Sequence, residues 1–300
     1  MALLVGSVQL GFLYAVLALG VFISFRILNI PDLTADGSFT LGLSVSAVFA
    51  MNGHALLGIL VAVATGAAAG AITGFLQTKA GIHPVLAGIL TMFGLQSINL
   101  FVMGSPNISL IGKDTVFTLL QRVFSFLSGS AVRTLLPAVV CVAVVLALGW
   151  FFSTQLGLSI RATGSNEDMV RASSINVDGV KIIGFALSNA LVAFSGGMMA
   201  QYQGYADSRG GVGIVTIGLA SVIIGEVLFG KRGLLLGLAS AAVGAVLYRL
   251  MLAFALKLQI LPTESFNLIS AVIIGLALAV PAIKKRIQFV NAKKGGGRRA

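Results

Sequence analysis

The sequence predicts an all-α, polytopic transmembrane helix bundle of about 8–9 membrane segments with broken helices, the N-terminus outside and the C-terminus cytoplasmic. Three observations predict it. Hydrophobic residues make up 57% of the 300 and charged residues only 10%. Mean hydropathy is +1.02. Apolar runs long enough to cross a bilayer recur along the whole chain. A soluble domain cannot hide that much apolar surface, since about a quarter of its residues are normally charged.

Taking about 20 apolar residues per crossing, the candidate segments are 8–28, 39–51, 56–78, 85–103, 135–152, 182–201, 212–229, 234–256 and 266–283, the second of them short. Arg26 is the first Lys or Arg and no small-residue cleavage site precedes it, so segment 8–28 reads as a retained span. Residues 1–285 form one transmembrane domain containing a polar loop at 155–181, and residues 286–300 form a basic cytoplasmic tail. No connection exceeds about thirty residues, which leaves no room for a soluble catalytic or nucleotide-binding domain of the usual 50 or more. Energy must come from another protein or from an ion gradient.

Charge sets the orientation. Lys284, Lys285, Arg286, Lys293, Lys294, Arg298 and Arg299 supply seven of the twenty basic residues, leaving +4 of the net +11 for residues 1–283. Basic residues beside a last apolar segment fit the positive-inside rule and contact with anionic lipid. Without aromatic interleaving or a folded module, they give no nucleic-acid signature. Counting backwards places Lys231, Arg232, the 155–181 loop and Lys79 in the cytoplasm. The connection 104–133 carries Lys113, Arg122 and Arg133 yet falls outside. Val116, Phe117, Leu120, Phe124 and Leu127 within it have helical spacing, so an amphipathic helix on the outer surface is expected there.

Two polar breaks, 29–38 and 201–211, lie one in each half of the chain. Transporters place sites where helices are interrupted, because a half-helix start offers free N–H groups and a positive dipole end. Thr34, Asp36 or Ser38 could cap a new helix there, and Gly37 would allow close approach. The alternative is a pair of ordinary loops at the membrane surface. On segment four, Thr91, Gln96 and Asn99 are either interhelical glue or the lining of a pathway. Asp32, Asp36, Ser38, Thr91, Gln96 and Asn99 are therefore the candidate pathway residues. Gly66, Gly70 and Gly74 share one helical face and suit packing against another backbone, a spacing that Ser240 and Gly244 repeat.

Glu226 stands in an apolar run, where an unpaired carboxylate costs about 2.5 to 3.5 kcal/mol at a helix centre. Its expected role is a structural ion pair with Lys231 or Arg232; the alternatives are coupling at a partner interface and proton or substrate handling. The phosphate-loop-like run 225–231 is a coincidence, because Arg232 stands where Ser or Thr is required. Cys141, His54 and His83 lack ligand spacing, so no metal site is expected. No paired carboxylates, His-Glu-x-x-His or Ser/Lys arrangement supports an enzyme.

The loop 155–181 has the makings of a docking element. Asn166 or Ser165 can cap a short helix, Glu167 and Asp168 suit its first turn, and Met169, Val170 and Ala172 offer an apolar patch. The bland alternative is a solvated loop. Its run of Gly157, Arg161-Ala162, Gly164, Asn166, Ala172, Ile175 and Lys181, continuing into Ser188, Gly196 and Gly197, resembles the permeases of branched-chain amino acid and ribose type ATP-binding-cassette importers. The likeness covers essentially the whole chain. Through 31–38 and 224–230 it looks closest to permeases of tryptophan and tyrosine uptake systems, although Glu226 departs from the Gly-rich branched-chain pattern.

That resemblance implies a short helix within 164–175 that docks on a cytoplasmic ATPase, with Arg161, Gly164, Ser165, Asn166, Glu167, Met169, Val170, Ala172 and Ile175 as coupling residues. It implies no chemistry and no cofactor in this chain, with ATP and magnesium held by the ATPase. A second permease copy is expected, the alternative being a related permease. An extracytoplasmic binding protein, a small solute such as an amino acid, aromatic rather than aliphatic, and a bacterial plasma membrane complete the expectation. A bulky residue at Gly164 should abolish ATP-driven uptake while leaving insertion intact. The competing class is a self-contained secondary transporter driven by an ion gradient, with Asp32, Asp36 and Glu226 as ion carriers.

Overall fold

The structure, a computed structural model, describes residues 2–123, 128–230, 233–257 and 275. The expectations for Phe124, Leu127, Lys231, Arg232, the ninth segment and the 286–300 tail lie outside the described residues. Among the described residues the protein is helical apart from one two-stranded ribbon, and six helices are long and apolar enough to cross a membrane.

Helix α1 (Ala2–Val21) passes into a π-helical stretch, Phe22–Ile27, and the chain then runs without regular structure to α2 (Thr34–Met51). α2 begins five residues before the expected segment 39–51, because Asp36 and Ser38 in its first turns interrupt the apolar pattern without interrupting the helix. After α3 (Ala55–Thr78), Pro84 opens α4 (Pro84–Met103) at the position where proline loses no hydrogen bond, and Gly104 closes it in the left-handed conformation. Strand β1 (Asn107–Ser109) and amphipathic α5 (Val116–Val123) follow. α5 buries Val116 and Phe117. α6 (Gly129–Phe151) starts six residues before the apolar run, where the Ser128 hydroxyl accepts from Ala131 N.

The 155–181 segment is mostly helix rather than loop. It comprises α7 (Gln155–Ser165), α8 (Glu167–Ala172) and the start of α9 (Val177–Gln203). Most of the second polar break is likewise structured, its first residues ending α9 and the next forming β2 (Tyr205–Asp207), which pairs antiparallel with β1. α10 (Ile214–Phe229) and α11 (Leu234–Lys257) complete the bundle.

Helix α9 is the hub, packed against α1, α2 and α3. In a bilayer, lipid tails are as apolar as side chains, so association relies on close packing of small residues. A methyl group at Gly70 would collide with the Phe185 carbonyl, one at Gly42 with the Ala193 carbonyl, and one at Gly196 with the Phe39 carbonyl. α10 and α11 meet in the same way through Gly225 against Ser240 and Gly244 against Ser221.

Candidate functional site

The two helix breaks come together. Asp36, in the first turn of α2, reaches across to the start of α10, where Gly213 N donates to its Oδ2 at 3.0 Å and Val215 N to its Oδ1 at 2.9 Å. Gly213 occupies the left-handed conformation (φ 80°), which turns the chain into α10. Four N–H groups at a helix start lack intrahelical partners, and a carboxylate there satisfies two of them while facing the positive dipole end. α10 has 16 residues, about 24 Å at 1.5 Å per residue, short of the roughly 30 Å hydrocarbon core. It is thus shorter than a full span, and its start is held by α2.

Asp32 does the same for α2 itself. Its Oδ1 accepts from Thr34 N at 2.9 Å and its Oδ2 from Asn189 Nδ2 at 2.6 Å. Asn189 is fully buried near the middle of α9, so Asp32 sits deep along that helix, not at its end. From Thr34 a buried hydroxyl chain runs through Thr73 (2.8 Å) to Thr91 (2.9 Å), whose own proton goes to the Ala87 carbonyl at 3.0 Å. α2, α3 and α4 are tied together by three threonines. Asn99 adds a bond from Nδ2 to the Gly37 carbonyl at 3.2 Å. Ser38 is buried, and its hydroxyl, like Asn99 Oδ1 and Asn189 Oδ1, has no hydrogen-bond partner among the described residues.

The six candidate pathway residues therefore divide. Asp32, Asp36, Thr91 and Asn99 bond inward to neighbouring helices and Ser38 is enclosed. Gln96 alone faces out, on an α4 surface that also exposes Phe93, Ser97 and Phe101. It lies near the middle of α4, where an amide turned to lipid is costly.

At the end of the bundle that carries Lys79, α7 and α8 form a small polar platform. Asn166 caps α8 by accepting from Met169 N at 3.0 Å, and Glu167 and Asp168 occupy its first turn. Met169 (58% exposed), Ala172 and Ile175 face outward, as do Arg161, Ser165 and Asn166. Two expected surface residues do not. Val170 is 2% exposed and seats α8 on the bundle. Gly164 lies against Ile27 and Leu28, where any Cβ would strike the Ile27 carbonyl. That contact joins α7 to the break after α1, so a bulky residue at Gly164 disturbs the fold itself, contrary to the expectation of intact insertion. Glu167 accepts from Lys181 Nζ at 2.5 Å and from Arg171 at 3.0 Å. The Lys181 bond holds its carboxyl below the usual range, partial burial opposes this, and Arg171 adds to the lowering.

Glu226 pairs with Arg26, Nε to Oε1 at 2.6 Å, locking α10 to the π-helical stretch. Arg26 lies 200 residues away in sequence, and the expected partners Lys231 and Arg232 lie outside the described residues. Arg249 went unnoticed in the sequence. It is a half-buried cation within α11 whose guanidinium lies over the Tyr14 ring, 3.8 Å from the centroid, with Tyr14 in turn stacked on Phe39. No acid pairs with it among the described residues. The ring face stands in for a counter-ion, and a single charge inside an apolar run was the signal that could have found it. No three His, Cys, Asp or Glu side chains gather as a metal site among the described residues.

Residues 3–278 match the family described as branched-chain amino acid transport system / permease component. The tyrosine transport system permease protein of Clostridioides difficile (strain R20291) is 36% identical over 281 residues, covering 93% of this chain and 91% of that protein. The ribose import permease protein RbsC of Escherichia coli (strain K12) is 28% identical over 246 residues, 80% of this chain and 73% of that protein. Among solved structures, a chain of PsaBC from Streptococcus pneumoniae in complex with Fab aligns with a TM-score of 0.50 at 15% identity, covering 92% of this chain and 89% of that one. This last similarity concerns the fold.

Proposed function

The chain belongs to the permease family of branched-chain amino acid transport systems and is a multi-pass membrane subunit of an ATP-binding-cassette importer, not an enzyme, and within that role we propose that it carries an amino acid, aromatic rather than aliphatic, driven by a cytoplasmic ATPase docked on α8. The tyrosine permease relative supports the solute class. The observation that carries the docking assignment is the exposed face of α8 and its following turn, Met169, Ala172 and Ile175, on a capped short helix seated by Val170. The platform end is then cytoplasmic and the β1–β2 ribbon end extracytoplasmic, the side from which a binding protein delivers solute.

The α4 face carrying Phe93, Gln96, Ser97 and Phe101 is assigned to the pathway between two permease copies, where Gln96 meets water or solute in place of lipid. A homodimer supplies the second half, and ATP with magnesium resides on the ATPase. Against the gradient-driven alternative, both oxygens of Asp36 are engaged at the start of α10, those of Asp32 accept from Thr34 N and from the Asn189 side chain, and Glu226 is paired with Arg26. The test is to recover the tagged chain from its native membrane and identify what accompanies it. A soluble ATPase recovered with the unaltered chain and lost from Met169→Asp supports the assignment; undiminished recovery with Met169→Asp and Ile175→Asp together removes it from α8.

A further inference from the structure

Helix α8 is bounded by two places where it could swivel. Before it, Asn166 leaves the helical conformation (φ −158°, ψ 103°); after it, Ser174 adopts a left-handed one (φ 59°). Val170 is its one buried side chain, so apolar packing alone gives it a single point of attachment. The remaining restraint is ionic. Lys181 of α9 bonds Glu167 at 2.5 Å, Arg171 bonds Glu167 at 3.0 Å and approaches Asp178 of α9 at 4.0 Å, and Asp178 is bridged to Lys79 beyond α3 at 2.8 Å. Five charges thereby tie the short helix to both long helices, and the Lys181 side chain is only 17% exposed, which limits its screening by salt.

We propose that Glu167, Arg171 and Lys181, with Asp178 and Lys79, are positioning residues that make α8 move as one piece with α9 and α3, so that force from the docked ATPase enters the spanning helices and is not dissipated in rotation of α8. The inference rests on the docking reading of α8. Its consequence follows from packing: α9 meets α3 through Gly70 and Gly74 and bears the Asn189 that holds Asp32, so displacement of α9 acts directly on the break before α2.

The test uses the full permease complex purified with its ATPase, in a Cys141→Ser background. Spin labels are placed at Ser173→Cys, just after α8, and at exposed Ile72→Cys on α3. With labelled chain diluted by unlabelled chain so that the distance within one copy is read, the expected result is one narrow distribution, the same before and after ATP and magnesium are added. Lys181→Met and Glu167→Gln should each broaden it on nucleotide addition while the ATPase stays bound, and Lys181→Arg should keep it narrow. The inference is overturned if the unaltered pair of labels moves apart with ATP, if both Lys181→Met and Glu167→Gln stay narrow, or if Lys181→Arg behaves like Lys181→Met, which would indicate packing in place of charge. Release of the ATPase by Lys181→Met would assign the pair to docking itself and also overturn it. Failure of any ATPase to accompany the unaltered chain is a distinct outcome that sinks the docking reading beneath it.

Discussion

Replacing Asp36 by Ala removes one carboxylate and takes the acceptor from two N–H groups at the start of α10, that of exposed Gly213 and that of buried Val215. A buried donor left unpaired costs about 1–3 kcal/mol, and loss of a helix cap costs about 0.5–2 kcal/mol. These overlap, since the cap is those same bonds, and only the Val215 donor is buried, so a destabilisation of about 1–3 kcal/mol is expected. Asp36→Asn keeps one acceptor oxygen and should lose about 1–2 kcal/mol. The assay is reversible unfolding of the purified chain in mixed micelles with rising dodecyl sulfate fraction, followed by loss of helical circular dichroism. A change under about 0.5 kcal/mol for Asp36→Ala, the range of an uninvolved surface substitution, would refute the claim that this carboxylate clamps α10 to α2.

Three further outcomes are expected. Gly164→Val should sharply reduce the amount of folded protein recovered from the membrane, because its Cβ collides with the Ile27 backbone; normal yield by size-exclusion chromatography would contradict that contact. Gln96→Leu should leave stability within about 0.5 kcal/mol yet slow solute uptake, and undiminished uptake would take the α4 face out of the pathway. For Glu167 the sign is set by a lowered folded value: its contribution is full above the unfolded carboxylate value, about pH 4.3, and is lost as pH falls through the folded one. The stability gap between the unaltered chain and Lys181→Met should therefore be present at pH 7, within about 1 kcal/mol for a partly screened pair, and close in acid. A gap that persists in acid would contradict the ionic account.

Apolar length alone located most spanning helices, since the bilayer demands it. What it missed had physical causes. The start of α2 was hidden because Asp36 caps another helix from within its own first turn, a placement that no local pattern distinguishes from a loop. The Arg26–Glu226 pair was out of reach because no local pattern links residues 200 apart. By contrast, the division of segment four was readable. Thr91, Leu95 and Asn99 recur every four residues and share the buried face, while Gln96 falls off that row. The cap on α8 was legible from Asn166, Glu167 and Asp168, but the helical nature of α7 was not: Gly157 and Gly164 lower helix propensity, and both serve close packing here.

The docking proposed for α8, the paired breaks and the exposed α4 face bear on one central proposal: transport by this chain is powered by ATP hydrolysed on a partner. The most direct measurement reconstitutes the purified chain in liposomes with and without its co-purifying ATPase and an extracytoplasmic binding protein, and follows labelled tyrosine under ATP or under an imposed ion gradient. The account predicts movement of solute with ATP and the ATPase present, and none from an ion gradient with the chain alone. Gradient-driven uptake by the chain alone, indifferent to ATP, would contradict it.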